Sequence, residues 1–182
     1  MGKLYSSFIR SYRLAEEPDA EFLDIIRDIY LSDEVQGLRR YPQHSSINRL
    51  DHITGVAYLT YCLAKEKGLD YKAATRGAVL HDLFYYDWHD SDWSHRPNGY
   101  RHPGFALINA RLLCEGRLSK TEEDVILRHM WPLTPVPPKY KESWLICFTD
   151  KYCAGREMLI AETKHFRKDF EKRIQKSEAV KI

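Results

Sequence analysis

Ala73-Ala74-Thr75-Arg76-Gly77-Ala78-Val79-Leu80-His81-Asp82 is the stretch on which the reading of this chain turns. Small and apolar helical text runs straight into an imidazole and a carboxylate. Ala74, Ala78 and His81 stand at steps of four and three, so His81 shares the inner face of a helix predicted over residues 71–84. Asp82 lies one position around that helix. Burying both groups is expensive unless something compensates, and a divalent metal ion is the usual compensation.

The helical period continues on both sides. Residues 19–31 carry Phe22, Leu23, Ile25, Ile26 and Ile29 at three- and four-residue steps, with Asp19 as N-cap after Pro18. A polar stretch over 32–46, containing Gly37 and Pro42, interrupts the pattern. A helix over 47–67 follows, stops at Gly68, and aligns His52 with Val56, Leu59 and Leu63. Residues 85–101 form a long loop rich in Asp, Trp, His, Asn and Gly, and a loop of that length in a compact domain tends to be functional. Pro103 is placed as the first residue of the next helix, which puts His102 at its N-cap.

Ser119-Lys120-Thr121-Glu122 is a capping box, and its short helix ends near His129-Met130 with Val125 and Ile126 four and three residues before His129. Pro132, Pro135, Pro137 and Pro138 stiffen the connector to a last helix that begins near Lys141 and aligns Cys147, Asp150 and Ala154. Beyond Lys164 the text becomes strongly charged, a helical extension over 164–182. No strand pair is predicted. The expected fold is all-α, one domain with its core over residues 47–163 and a metal site at the centre of a helical bundle.

Composition narrows the partners. With 182 residues, 43% hydrophobic and 30% charged, the chain reads as one soluble globular domain. A net charge of +2 is too small to argue for a nucleic-acid complex or an anionic membrane, so any phosphate recognition must come from a local pocket. The N-terminal Met1-Gly2-Lys3-Leu4-Tyr5-Ser6-Ser7 has no signal-peptide core, and no run approaches the ~20 apolar residues of a membrane helix. Cys62, Cys114, Cys147 and Cys153 form no CxxC, which argues against a zinc ribbon and a disulfide scaffold and for a reducing compartment. The expected location is the cytoplasm.

Six side chains project from faces that must pack together: His52, His81, Asp82, His102, His129 and Asp150. Helical bundles build metal sites by such convergence. Imidazoles and carboxylates without thiolates suit one or two ions of Fe, Mn, Zn, Co or Ni and are too imidazole-rich for calcium. The order H…HD…H…H…D resembles the HD-domain superfamily of metal-dependent phosphohydrolases, although His81-Asp82 continues as Leu83-Phe84 where one subgroup has Ile-Gly.

That resemblance implies a division of labour. His52, His81, Asp82 and Asp150 would hold one metal, and His102 and His129 a second, with Asp82 bridging. It also implies hydrolysis of a phosphomonoester or phosphodiester, above all a nucleotide, by metal-activated water. Asp82, Lys151 and His95 would then act in catalysis, with His95, Arg96 and Lys151, and more remotely His44, Asp87 and Arg101, binding the phosphorylated substrate. The same six ligands also resemble those of the mixed-valent diiron oxygenases of the myo-inositol oxygenase type. A non-catalytic metal- or nucleotide-binding module is the third reading, and oligomeric state stays open.

Overall fold

The computed structural model describes residues 2–44 and 47–159, without the side chain of His44. The extension read over 164–182 lies outside the described residues. The described chain is mostly helical: α1 Lys3–Ser11, α2 Ala20–Tyr30, α3 Asp33–Gln36, α4 Arg49–Glu66, α5 Tyr71–Leu80, α6 Asn98–Leu113, α7 Lys120–Arg128 and α8 Lys141–Leu159. None of them is long and apolar enough to cross a membrane.

Local chemistry starts and stops these helices much as the sequence implies. The carboxylates of Asp19 and Asp70 accept the backbone N–H of Phe22 and Ala73. Asn48 does the same for Asp51 at 2.9 Å. Ser119 and Glu122 close a reciprocal capping box at the head of α7. Gly68 adopts φ +63° just beyond α4, a conformation that favours glycine.

Three boundaries differ from expectation, and each bears on the site. A two-stranded antiparallel hairpin, β1 Pro42–His44 and β2 Ile47–Asn48, occupies the end of the stretch read as irregular and the first two residues of the helix expected over 47–67, with Pro42 opposite Asn48 and His44 opposite Ile47. Strands of three and two residues are too short for a period to reveal them. The helix read over 71–84 ends at Leu80, and His81 is its C-cap. Successive side chains on a helix diverge by about 100°; leaving the helix lets His81 and Asp82 turn toward one centre. Finally, α6 begins at Asn98, so Pro103 lies inside it and His102 is not the N-cap. The Pro97 carbonyl accepts the N–H groups of Tyr100 and Arg101 at 3.1 and 3.2 Å, which starts the first turn five residues early.

Helix α4 is the axis of the molecule. It packs against α1, α5 and α8 and is buried on nearly every face, including His52. One hydrophobic cluster runs from Phe8 on α1 through Phe22, Ile53, Leu80 and Ile126 to Cys153 on α8. Polar pins cross it: Thr60 and Thr149 share a hydroxyl hydrogen bond of 2.7 Å between α4 and α8.

Helices α5 and α7 meet at Gly77, where a Cβ would stand 2.6 Å from Val125 Cγ1 and 2.8 Å from its Cβ. Alanine in a helix interior normally gains about 1 kcal/mol over glycine, but overpacking against a rigid β-branched side chain costs about 1–3 kcal/mol. The steric term wins. Gly77→Ala is expected to lower the urea midpoint, and adding Val125→Ala to recover part of the loss. A Gly77→Ala protein more stable than the parent would refute this close contact.

Candidate metal centre

The four inward histidines are oriented by one rule. Each uses Nδ1 on an acceptor: His81 on the Ala78 carbonyl at 2.7 Å, His129 on the Ile126 carbonyl at 2.8 Å, and His102 on the Asn98 carbonyl at 2.9 Å. His52 Nδ1 lies 2.8 Å from Glu157 Oε2. Carbonyl and carboxylate oxygens only accept, so every Nδ1 carries its hydrogen and Nε2 is the atom each ring turns toward the centre. His81 and His129 obtain this geometry identically, as C-caps reaching back three residues into their own helices.

All four Nε2 atoms point at two carboxylates. His102 Nε2 and His129 Nε2 are 2.8 Å apart and lie 3.1 and 3.6 Å from Asp82 Oδ1. His81 Nε2 lies 3.7 Å from Asp82 Oδ2 and 3.8 Å from Asp150 Oδ1, and His52 Nε2 lies 3.1 Å from the same Asp150 oxygen. Donor atoms of His52, His81 and Asp82 fall within 4.8 Å of one another, as do those of Asp82, His102 and His129. Either group can hold a metal ion, and Asp82 belongs to both. All six expected ligands are therefore brought together, and all six are buried, Asp150 the least so at 9% exposure.

The electrostatics ask for positive charge here. His81 Nε2 and Asp82 Oδ1 are buried with no hydrogen-bond partner, the arrangement that costs most in a protein interior. Burial penalises an imidazolium at His52, yet the Glu157 and Asp150 carboxylates outweigh it and push its pKa up to about 10. A cation is thus favoured between the two anions, and a metal ion on Nε2 would take the place of the second ring proton. At His129, burial and the neighbouring His81 and His102 push the pKa down to about 3, so a proton is not the answer on that side. Burial alone would raise Asp82, but His81 and then His102 hold it well below the usual carboxylate range. Helices α5 and α7 both end at the centre, and the partial negative charge of their C-termini favours a cation further.

A layer of supports lies behind the ligands. Gln43, carried in by β1, donates from Nε2 to Asp82 Oδ2 at 2.7 Å. Arg49, fully buried, donates Nε to Gln43 Oε1 at 3.0 Å, and its other two nitrogens to the carbonyls of Phe84 at 2.7 Å and Tyr86 at 3.1 Å. Its guanidinium also stacks 3.5 Å from the Phe84 ring centre. Burial lowers its pKa to about 10, with the Asp82 charge opposing, so it stays cationic.

The centre opens on a cavity of about 360 Å³ lined by Asp82, His102, His129 and Asp150 together with Gln43, Phe84, Trp88, Asn98, Met130 and Lys151. His52 and His81 are not among its lining and lie deeper. Lys151 donates to the His129 carbonyl at 3.1 Å. No family model, curated protein or solved structure matches this chain.

The loop over 85–101 contributes Trp88 and Asn98 to the cavity wall, but not its basic pair. His95 is buried in the loop itself, stacked 3.9 Å from Tyr86 with Nε2 3.0 Å from Asp90. Arg96 donates to the Asp90 carbonyl and lies over Trp93, while Arg101 donates to the Ser94 carbonyl. Asp87 accepts from the backbone and ring of His89. These side chains are engaged within the loop, and none of Asp87, His95, Arg96 and Arg101 lines this cavity, whereas Lys151 does. The His44 side chain lies outside the described residues.

Gln43, Arg49 and Glu157 are the supports that sequence reasoning missed. Two of them left a trace. Glu157 stands seven residues after Asp150, two turns along the same face of α8, and Arg49 stands three before His52. Gln43 left none, because the hairpin that delivers it is invisible to periodicity.

Proposed function

We propose that this chain is a metal-dependent phosphohydrolase of the HD type, hydrolysing a phosphomonoester or phosphodiester and most suitably a nucleotide. The observation that carries this reading is the single carboxylate, Asp82, shared by two three-donor groups at the floor of a cavity that also holds Lys151. Divalent ions held there would supply Lewis-acid polarisation of a phosphoryl group and an acidified water.

The chain's own residues do the rest. Lys151, placed by its bond to the His129 carbonyl, meets the phosphoryl charge that the ions leave uncompensated. Gln43 holds one oxygen of Asp82, which fixes how the carboxylate divides between its neighbours. Trp88, Phe84 and Met130 form an apolar wall that excludes water and suits the flat organic part of a substrate.

The test is metal content of freshly purified protein combined with a panel of phosphomonoesters, phosphodiesters and nucleotides. Turnover with Mn, Co, Ni or Zn supports the proposal. Iron with an oxygen-sensitive spectrum and oxygen uptake on a polyol would replace it by the diiron oxygenase reading. A fully loaded protein inert across the panel would make it a binding module.

Lys151→Ala is expected to keep its metal and lose roughly 10- to 100-fold in kcat/KM, since a hydrogen bond to a charged group is worth about 1.5–3 kcal/mol. Metal loss in this variant would show that Lys151 supports the ligand helix and does not meet substrate.

A further inference from the structure

The two ion positions share Asp82, but nothing else about them is alike. We infer that they are unequal by construction: a deep position of His52, His81, Asp82 and Asp150 binds first and retains its ion, while an outer position of His102, His129 and Asp82 binds second and exchanges with solution. This rests on the metal-site reading above and adds which ion is resident.

Three observations carry the asymmetry. The first is charge. The deep position has Asp150 to itself in addition to its share of Asp82, whereas the outer one has only its share of Asp82. The second is the support behind each histidine. His52 is the one ring among the four whose Nδ1 meets a carboxylate, the fully buried Glu157 at 2.8 Å; His81, His102 and His129 all meet neutral carbonyls. A carboxylate there makes the imidazole a more basic ligand, and losing such a partner typically costs about 10- to 100-fold in metal affinity. The third is access. All three ligands of the outer position line the open cavity, whereas of the deep position's four only Asp82 and Asp150 do, and His52 and His81 lie behind it and are fully buried.

Glu157 is thus assigned as a positioning residue for the deep ion. It touches neither cavity nor substrate and acts through His52.

The test is titration of the chelator-treated full chain with Mn(II), followed by calorimetry and by the electron-spin signal of free Mn(II). The parent is expected to take up two ions in steps separated by at least about 10-fold in Kd. Glu157→Gln keeps an acceptor for the ring and is expected to weaken the first step by about 10- to 100-fold, leaving the second within a few-fold. The double variant His102→Ala/His129→Ala, which leaves the deep ligands intact, is expected to bind one ion with the parent's first-step affinity. Two equivalent ions in the parent, an equal loss in both steps for Glu157→Gln, or loss of the tight ion in the double variant would each overturn the asymmetry. A parent that binds no Mn(II), Co(II), Zn(II) or Fe(II) at all would overturn the metal-site reading beneath it, and is recognisable before any variant is made.

Discussion

Asp82→Ala is expected to leave the chain unable to hold a full complement of ions and, under the proposed function, to lower phosphoester turnover by at least about 10³-fold. Among the described residues, Asp82 alone lies in both groups of metal-competent donors, so its loss removes a ligand from each. Its Oδ1 stands 3.1 Å from His102 and 3.6 Å from His129, and its Oδ2 stands 3.7 Å from His81; a methyl group at that point removes the carboxylate these three rings share and leaves Asp150, 3.8 Å from His81, as the remaining anion beside them. The fold itself depends on this side chain mainly through the bond from Gln43. Binding to the native state alone stabilises by mass action, so the metal-loaded parent should melt above the chelated parent, and Asp82→Ala should close that gap. A variant that retains two ions per chain would show that the carboxylate is not shared.

Arg49→Ala is expected to cost about 3–5 kcal/mol of folding stability, because an acceptor left without its donor costs about 1–3 kcal/mol and three are left at once, while removing the desolvated guanidinium returns part of the sum. For a chain of this size that is on the order of a 10 °C fall in Tm. Three acceptors lose their donor at once: Gln43 Oε1 and the carbonyls of Phe84 and Tyr86. Arg49→Lys keeps the charge but not the planar fork, so it is expected to recover only part of the loss. Both variants should also weaken the hold of Gln43 on Asp82, read as a lower ion stoichiometry at fixed Mn(II). An Arg49→Ala protein that melts with the parent would mean that the buried guanidinium is dispensable to this network.

These two expectations come from different layers of information. Asp82 was conspicuous in the sequence, because a His-Asp pair closing an apolar helix is costly without a compensating charge. Arg49 was not, because an arginine near a helix start reads as solvated until a neighbouring segment is seen to cover it. The same contrast holds for the loop over 85–101. His95, Arg96 and Arg101 read as phosphate contacts by their chemistry, yet the loop's own aspartates and carbonyls engage them, and Trp88 and Asn98 are among the loop residues that reach the cavity.

What the sequence by itself determined is what acts within one or two turns of chain: the helical periods, the caps at Asp19 and Ser119, the stop at Gly68, and the inward side of His52, His81 and His129. Those follow from spacing and backbone hydrogen bonding, which are local. Only the tertiary structure decided the partners. The bonds from Gln43 to Asp82, from His52 to Asp150 and from His52 to Glu157 span 39, 98 and 105 residues. Contacts that distant are set by how helices pack around α4, and no local period encodes them. The tertiary structure likewise chose where α5 and α6 end and begin, and so turned His81, Asp82 and His102 onto one centre, because a helix boundary is settled by whichever carbonyl the fold brings within reach of the next free N–H.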